Sequence, residues 1–440
     1  MSGTRIVLHT GKGGVGKTTV SALTGLAAAR AGHRTLVLST DPAHSLSDVL
    51  GCPVGAEPAE VPGVPGMLAA QVDTIARYQQ AWAAVRDYLV GVLAARGMAG
   101  VQAEELVTLP GAEEVIALLE VYRYARSAEV DAVVVDCAPS GDTLRLLALP
   151  EAVDFYAHRL MSAPARLLRT VAASLAGGGA PDAGVRDAMG TLLADLGSVR
   201  SMLADARRTS VRLVVTPESV VVAEARRLRT ALALHGFGVD AVLINRVLPE
   251  EVGGDFLREW RAAQRETLAV IEESFGDLPR HRVPMLAREP VGIPALTALA
   301  DCAFGDADPL SGIGAAPSMT VTSRRGGYRL ALPLPHADRG AVSLARSGDD
   351  LVVTLSGHRR RLTLPAVLRR CSTIGARLTD DPSRRGPTVS GGGAGTVLLI
   401  DFAPDPAQWP AALAGSLPAA QGAQPVAAAD LSEHAWAAGQ

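Results

Sequence analysis

Residues 11–19 read Gly-Lys-Gly-Gly-Val-Gly-Lys-Thr-Thr, and this stretch is the strongest indication of fold in the first 300 residues. An apolar run, Ile6–Leu8, precedes it, and a helical pattern of small and apolar residues follows. The order of strand, glycine-rich loop and helix is typical of a phosphate-binding loop. Glycines let the backbone approach phosphate oxygens, and the amides that begin the helix point toward the anion. We therefore predict a nucleotide site in which Lys17 contacts the β- and γ-phosphates and Thr18 binds Mg²⁺.

The lysine content supports this interpretation. The chain has 42 lysine and arginine residues, but only Lys12 and Lys17 are lysines, and both lie in this loop. Because arginine provides positive charge everywhere else, these two positions favour a compact ammonium group over a planar guanidinium. The alternative is a glycine-rich turn that binds no ligand.

Composition limits the classes of protein that the chain can represent. Its 440 residues, 48% hydrophobic and 20% charged, predict two or three domains with substantial cores. A net charge of −3 gives no sign of a nucleic-acid-binding surface, so we expect no nucleic-acid partner. No secretion signal precedes the first strand, and no apolar stretch approaches the ~18 residues of a membrane span. Four scattered cysteines without a C-x-x-C pair predict a reduced, cytoplasmic protein with no zinc site.

The first 300 residues alternate apolar runs with helical patterns, which predicts an α/β fold with a parallel sheet covered by helices on both faces. The predicted strands are Arg5–His9, Thr35–Ser39, Val130–Asp136, Val211–Thr216, Ala241–Arg246 and a short one at Arg282–Met285. In such sheets, ligands bind at the carboxyl ends of the strands.

Polar residues follow three of these strands. Asp41 stands where a carboxylate can orient the attacking water, and Asp136 ends an apolar strand, which is the usual position of a magnesium-binding aspartate. The alternatives are a turn residue and a solvated strand end. Asn245 could pair with the edge of a purine, or it could be a capping residue. The loop that contains Pro290 could close over the base.

The remainder of the chain predicts a helical insertion and a second domain. We predict a phosphate-loop domain at 1–304, with a helical subdomain at about 70–125 and 150–207. Its apolar residues indicate either core packing or an exposed groove for an apolar client. A linker at 305–317 leads to a small all-β sandwich at 318–403, since the pattern there changes to period two with turn residues between the runs. We expect the tail at 404–440 to be mobile.

Three motifs together resemble the family of arsenite-pump and guided-entry (tail-anchored protein targeting) ATPases. They are the loop at 11–19 with its additional Lys12, the stretch Asp-Pro-Ala-His-Ser-Leu-Ser-Asp at 41–48, and the stretch from Asp136 to Arg145. Residues 328–402 resemble an α-crystallin (small heat-shock protein) domain. The combination resembles the bacterial and plastid branch of the family.

The resemblance implies a homodimeric ATPase that uses ATP/ADP and Mg²⁺. Lys12 would reach the nucleotide of the partner subunit, Asp41 would position the water, and Lys17 would assist catalysis. Thr18 and Asp136 would hold the metal. The implied nucleotide-binding residues are Gly11, Lys12, Gly13, Gly14, Val15, Gly16, Lys17, Thr18, Thr19, Asn245 and Pro290.

Three functions remain open. In the first, nucleotide state opens and closes an apolar surface for a hydrophobic protein or lipid-like client, with a transient membrane partner. The second is an ATPase subunit of an arsenite or metalloid efflux system. The third is a nucleotide-regulated chaperone-like protein whose sandwich binds the client. The family's zinc-binding C-x-x-C is absent, and its arsenite-binding cysteines are not matched.

Overall fold

The computed structural model describes residues 3–41, 45–72, 112–127, 129–138, 140–141, 143–144, 147, 183–250, 253–312, 319–380 and 395–405. These residues divide into two compact units. The phosphate-loop unit contains the described parts of Met1–Thr216, Asp240–Gly254 and Arg280–Gly314. The sandwich unit contains those of Pro217–Val239, Asp255–Pro279 and Ala315–Gln440.

An eight-stranded sheet forms the centre of the phosphate-loop unit, in the order β3-β4-β2-β5-β1-β6-β7-β8. β3 is antiparallel to β4, whereas β1 is parallel to both of its neighbours. This mostly parallel sheet confirms the predicted α/β fold class. The strands are β1 (Arg5–Thr10), β2 (Thr35–Ser39), β3 (Ala59–Glu60), β4 (Met67–Gln71), β5 (Ala132–Asp136), β6 (Thr209–Val215), β7 (Val239–Val247) and β8 (Arg280–Pro284).

Seven helices can be given bounds among the described residues of the same stretch of chain. They are α1 (Lys17–Arg30), α2 (Ser45–Leu50), α3 (Ala112–Arg126), α4 (Ala183–Ala204), α5 (Ser219–His235), α6 (Asp255–Ser274) and α7 (Ile293–Phe304). Within the phosphate-loop unit, α1 packs against α7 and the sheet, and α3 packs against α4. α1 comes so close to β2 that a Cβ at Gly25 would lie 2.1 Å from Val37 Cγ2. A small residue at position 25 therefore allows α1 to pack closely against β2.

A buried ionic cluster closes the opposite end of the sheet. Arg212 on β6 lies 3.1 Å from Asp240 on β7, and both side chains are almost fully buried. Arg5 Nη2 is 3.2 Å from the same carboxylate. The two guanidinium groups also donate to carbonyl oxygens of Pro309 and Gly312. Because a buried guanidinium needs several acceptors, this cluster fixes the start of the predicted linker to the end of the sheet.

Two strands of the phosphate-loop unit were not predicted. β4 reads Met-Leu-Ala-Ala-Gln, which lacks the β-branched and aromatic residues that mark strands. Its pairing with β2 nevertheless buries Met67 and Ala70 completely. β3 is only two residues long and exposed, so its sequence carries no periodic signal.

The sandwich unit contains two antiparallel sheets, as predicted for an all-β domain. Their orders are β14-β15-β10-β9 and β11-β12-β13. The period-two runs of the sequence are 319–323, 328–332, 341–346, 350–355, 359–362 and 397–402. They do not include β14, whose alternation is interrupted by a bulge between Thr373 and Gly375. The strands are β9 (Thr320–Arg324), β10 (Gly327–Pro333), β11 (Val342–Ser347), β12 (Asp350–Leu355), β13 (His358–Thr363), β14 (Cys371–Asp380) and β15 (Thr396–Pro404), with a short helix α8 (Ala366–Arg369).

Helix α5 is part of the core of the sandwich unit. Leu234, near its end, is fully buried in the apolar cluster that the strands form. The hydroxyl of Thr230 donates to the carbonyl of Pro335, and Arg360 donates to the carbonyl of Leu234. The arginine thereby satisfies a carbonyl at the C-terminal end of the helix. The sandwich therefore shares its core with a helix that ends 85 positions before the first strand of the sandwich begins.

Several predicted regions lie outside the described residues. These are 73–111 and 148–182 of the predicted helical subdomain, 313–318 around the end of the linker, and 406–440 of the tail. Among the helices that the structure does describe, none is long and apolar enough to cross a membrane.

Candidate nucleotide-binding site

The loop at 11–19 joins β1 to α1 at the carboxyl edge of the sheet. Gly14 and Gly16 adopt positive φ angles of 82° and 88°, which glycine tolerates without steric cost. Gly16 precedes α1 without a capping side chain, so the first amides of the helix have no such partner. A Cβ added at Gly13 or Gly14 would meet no atom within 4 Å. The loop therefore has the open, amide-lined form that an anion requires.

Neighbouring strands and loops hold this loop from three sides. A Cβ at Gly11 would lie 2.2 Å from the carbonyl oxygen of Val214 on β6, so this position has no room for a side chain. The amide of Ser140, just past β5, donates to the carbonyl of Gly11 at 3.1 Å. The side chain of Asn245 donates to the carbonyl of Val15 at 2.8 Å. Both the first residues and the middle of the loop are therefore anchored.

Asp136 lies beneath the loop and is fully buried. It ends β5, where its register partners are His9 on β1 and Ser39 on β2. The Ser39 hydroxyl donates to Asp136 Oδ2 at 3.4 Å, and the Ser21 hydroxyl lies 3.5 Å from Oδ1. These bonds orient the carboxylate at the position where the first turn of α1 begins.

Burial raises the pKa of Asp136 to about 6. The nearby charge of Asp41 raises it further, whereas a hydrogen bond from Thr18 and the charge of Lys17 lower it. Lys17 itself is only 7% exposed. A buried carboxylate whose negative charge is poorly solvated is a suitable ligand for a cation.

A chain of hydroxyl groups extends from Asp136. Thr18 hydrogen-bonds the carboxylate, and its Oγ1 lies 3.1 Å from the hydroxyl of Ser45 at the start of α2. The backbone amide of Asp41 contacts the hydroxyl of Ser39 at 3.4 Å. The structure therefore brings Lys17, Thr18, Asp41 and Asp136 into one cluster.

Other predicted site residues lie beside this cluster. Lys12 is half-buried on the loop, and Thr19 is half-buried in the first turn of α1. Pro290 lies in the loop between β8 and α7. Two residues on, the amide of Gly292 donates to the carbonyl of Val49 at the end of α2. The loop that contains Pro290 is thus connected to the helix that follows Asp41.

Sequence reasoning missed the residues that support Asp136. Ser39 and Ser21 lie outside the three motifs. Ser45, which contacts Thr18, and Ser140, which donates to the carbonyl of Gly11, lie inside motifs but were not predicted to be site residues. Their roles depend on β2, β5 and β1 being neighbours, which the order of the chain does not reveal. The signal that could have found Ser39 is its place at the end of a strand, level with the other strand-end polar residues.

The described residues fit both a triphosphate and Mg²⁺. The open cradle at Gly13 and Gly14 leaves room for phosphate oxygens next to the helix amides. The hydroxyl of Thr18 and the carboxylate of Asp136 are oxygen donors, which is the type of ligand that Mg²⁺ prefers. The raised pKa of Asp136 is the mark of a carboxylate that lacks a full cationic partner within the protein.

Comparisons with known proteins agree with this geometry. Residues 4–304 match the family model described as anion-transporting ATPase, and residues 325–382 match an HSP20-like domain found in such ATPases. A "putative arsenical pump-driving ATPase" of Chlorobaculum tepidum is 35% identical over 83% of the chain and 91% of that protein. An uncharacterized protein of Streptomyces coelicolor is 38% identical over 92% of the chain and 99% of its own length. An ATPase GET3 of Ajellomyces dermatitidis is 28% identical over 65% of the chain and 86% of that protein.

Proposed function

The chain belongs to the anion-transporting ATPase family, and on this premise we propose that two copies of it form a dimer that hydrolyses ATP at the phosphate loop. The predicted likeness to the arsenite-pump and guided-entry ATPases, with an HSP20-like domain, is confirmed by the comparisons. The observation that supports the site is the cluster of Lys17, Thr18, Asp41 and Asp136 beneath an open glycine loop, with Lys17 and Asp136 buried.

The residues of the cluster would divide the work of hydrolysis. The loop amides and Lys17 would bind the β- and γ-phosphates and stabilise the charge that develops on the transferred group. Thr18 and Asp136 would hold Mg²⁺, which supplies additional positive charge at the phosphate oxygens. Asp41 would orient the attacking water and accept its proton, because it is the acidic residue of the cluster that is not buried.

The first experiment separates binding from hydrolysis. We expect Asp41→Asn to abolish ATP hydrolysis while leaving ATP affinity within a few-fold of wild type, because the amide cannot accept a proton. Asp48→Asn is the matched control, since Asp48 is an exposed aspartate on α2 of the same motif. Substantial turnover by the Asp41 variant would remove Asp41 from this role.

Lys12 is the residue that we propose to act across the dimer. A second ammonium in one short loop avoids crowding Lys17 only if it serves a different phosphate group. Lys12→Arg should slow turnover because the planar guanidinium cannot replace a compact ammonium there. An unchanged kcat would contradict this assignment.

Mixing two inactive variants tests whether Lys12 acts in trans. Dimers that pair a Lys12→Ala subunit with an Asp41→Asn subunit contain one intact site if Lys12 serves the partner, and none if it serves its own subunit. Equal mixing should therefore restore about one quarter of the wild-type rate, since half of the dimers are mixed and each has one intact site of two. No recovery, with dimers confirmed by sedimentation, would place Lys12 in its own site.

We also propose, from the family, that nucleotide state controls an apolar surface for a hydrophobic protein or lipid-like client in the cytoplasm. The helical segments that would form it lie mainly outside the described residues. Co-purification of the Asp41→Asn dimer in ATP, followed by identification of bound protein or lipid, tests the proposal. A dimer that carries neither would contradict it.

Metalloid efflux is the second candidate, and the names of the relatives favour it. Arsenite prefers a site with several thiolates. The four cysteines of this chain are free, and Cys137 and Cys371 are buried on different units. Burial raises the pKa of both thiols, which disfavours the thiolate form. Arsenite stimulation of ATP hydrolysis, lost when Cys302 and Cys52 become serine, would support this candidate over the first.

A further inference from the structure

The side-chain amide of Asn245 contacts the phosphate loop. Asn245 lies on β7 and is 6% exposed. Its Nδ2 donates to the carbonyl of Val15 at 2.8 Å. A Cβ on Gly16 would lie only 2.4 Å from the same nitrogen. The amide is thus packed against the turn from the loop into α1.

The other end of the amide is also engaged. The backbone amide of Arg246 donates to Asn245 Oδ1 at 2.9 Å. Arg246 has a φ of 59°, a left-handed conformation that is uncommon for a residue with a side chain. The pairing of β7 with β8 shifts register at this point. The backbone therefore departs from the regular strand at the residues that present the amide to the loop, as functional positions often do.

Composition makes the position unusual. Asn245 is the only asparagine among 440 residues, just as Lys12 and Lys17 are the only lysines. The chain uses glutamine for its other side-chain amides, for example Gln71 and Gln264. All three residues that belong to these two rare types therefore lie in the phosphate loop or in contact with it.

We propose that Asn245 is a positioning residue that holds the Val15–Gly16 peptide in its phosphate-binding form. The hydrogen bond from Asn245 fixes the carbonyl of Val15 to β7. Gly16 therefore keeps its positive φ of 88°, and the amides at the start of α1 keep their orientation. This inference rests on the proposed nucleotide function. It differs from adenine recognition, because it predicts that loss of Asn245 weakens ligands that have no base.

Inorganic tripolyphosphate with Mg²⁺ is the ligand that separates these two roles. Asn245→Leu keeps the size of the side chain but removes both hydrogen bonds. We expect it to weaken tripolyphosphate binding at least threefold by calorimetry, together with ATP binding, because a typical protein hydrogen bond contributes that much to a preorganised site. Gln264→Leu removes a similarly buried amide from α6 and should leave both affinities unchanged. Weaker ATP binding with unchanged tripolyphosphate binding would overturn the proposal in favour of base recognition alone.

Hydrogen exchange tests the same contact without any ligand. In ligand-free protein, Asn245→Leu and Asn245→Asp should each speed exchange of peptides covering residues 13–18, while peptides from β1 and β5 keep wild-type rates. Asn245→Asp retains the acceptor for Arg246 but loses the donor to Val15, so it isolates the bond to the loop. Unchanged loop exchange in both variants would overturn the proposal. Failure of the wild type to bind ATP would instead refute the proposed nucleotide function, and the exchange result would still decide the role of Asn245.

Discussion

Replacing Asp136 with asparagine should stabilise the metal-free protein above pH 7, although it should abolish hydrolysis. Burial raises the pKa of Asp136 from its ordinary value of 3.8 to about 6. Since one pKa unit corresponds to about 1.4 kcal/mol, the ionised carboxylate opposes folding by about 3 kcal/mol. Asparagine carries no charge but satisfies the hydroxyl of Ser39 less well, so we expect a net stabilisation of about 1–2 kcal/mol.

The pH dependence gives this prediction its sign. Because the pKa of Asp136 is higher in the folded state, the folded protein binds this proton more tightly than the unfolded chain. The wild type therefore gains stability from this group as the pH falls through 6 toward 4, whereas the asparagine variant gains none. The advantage of the variant should shrink by about 1 kcal/mol between pH 8 and pH 5.

Urea unfolding in EDTA, followed by circular dichroism at both pH values, measures this difference. Hydrogen exchange of peptides from β1 and β5 reports on the phosphate-loop unit alone, because two compact units need not unfold together. Asp131→Asn is the control of opposite sign. Hydrogen bonds from Arg34 lower the pKa of Asp131, so its contribution to stability is lost as the pH falls. An advantage of the Asp136 variant that is independent of pH, or that grows toward acid, would refute the reasoning.

Three further changes test the packing around the site and in the sandwich unit. Gly16→Ala should lower the melting temperature, since φ is 88° and the new Cβ would press on the Asn245 amide. Gly13→Ala should leave the melting temperature unchanged and still weaken ATP binding, so equal melting temperatures of the two variants would contradict the prediction. Asp240→Asn should lower the free energy of unfolding in urea by roughly 3 kcal/mol, because it leaves two buried guanidinium groups without a carboxylate. A decrease under about 1 kcal/mol would show that the cluster is not essential. Leu234→Ala should lower the free energy of unfolding by about 2–5 kcal/mol, because it creates a cavity in the sandwich core. Val220 is 64% exposed on the same helix, so Val220→Ala should lower it much less, and similar decreases for both variants would argue against the shared core.

Much of the fold could be predicted from the sequence because local patterns carried it. Strong apolar runs marked β1, β2 and β5 to within about two residues. The patterns failed where pairing alone makes the strand, as in the alanine-rich β4 and the bulged β14. In those segments, propensity is weak and the hydrogen bonds come from residues distant in sequence.

The candidate site likewise contains residues that the sequence predicts and contacts that it does not. Lys17, Thr18 and Asp136 could be predicted to lie together because a phosphate loop and a strand-end aspartate share the carboxyl edge of a parallel sheet. The support from Ser39 and Ser21 could not be predicted, because the sequence does not state which strands are neighbours. The contact of Asn245 with Val15 joins residues 230 positions apart.

The sequence alone determined the chemistry of the loop: glycines that permit positive φ angles, and two lysines in a chain that otherwise uses arginine. It also determined the two fold classes, since each depends on a local period. The burial that raises the pKa of Asp136, the contact of Asn245 with Val15 and the place of α5 in the sandwich core come from the folded structure. The physical reason is that pKa, side-chain contact and burial depend on groups that chain folding, and not sequence order, brings within a few ångströms.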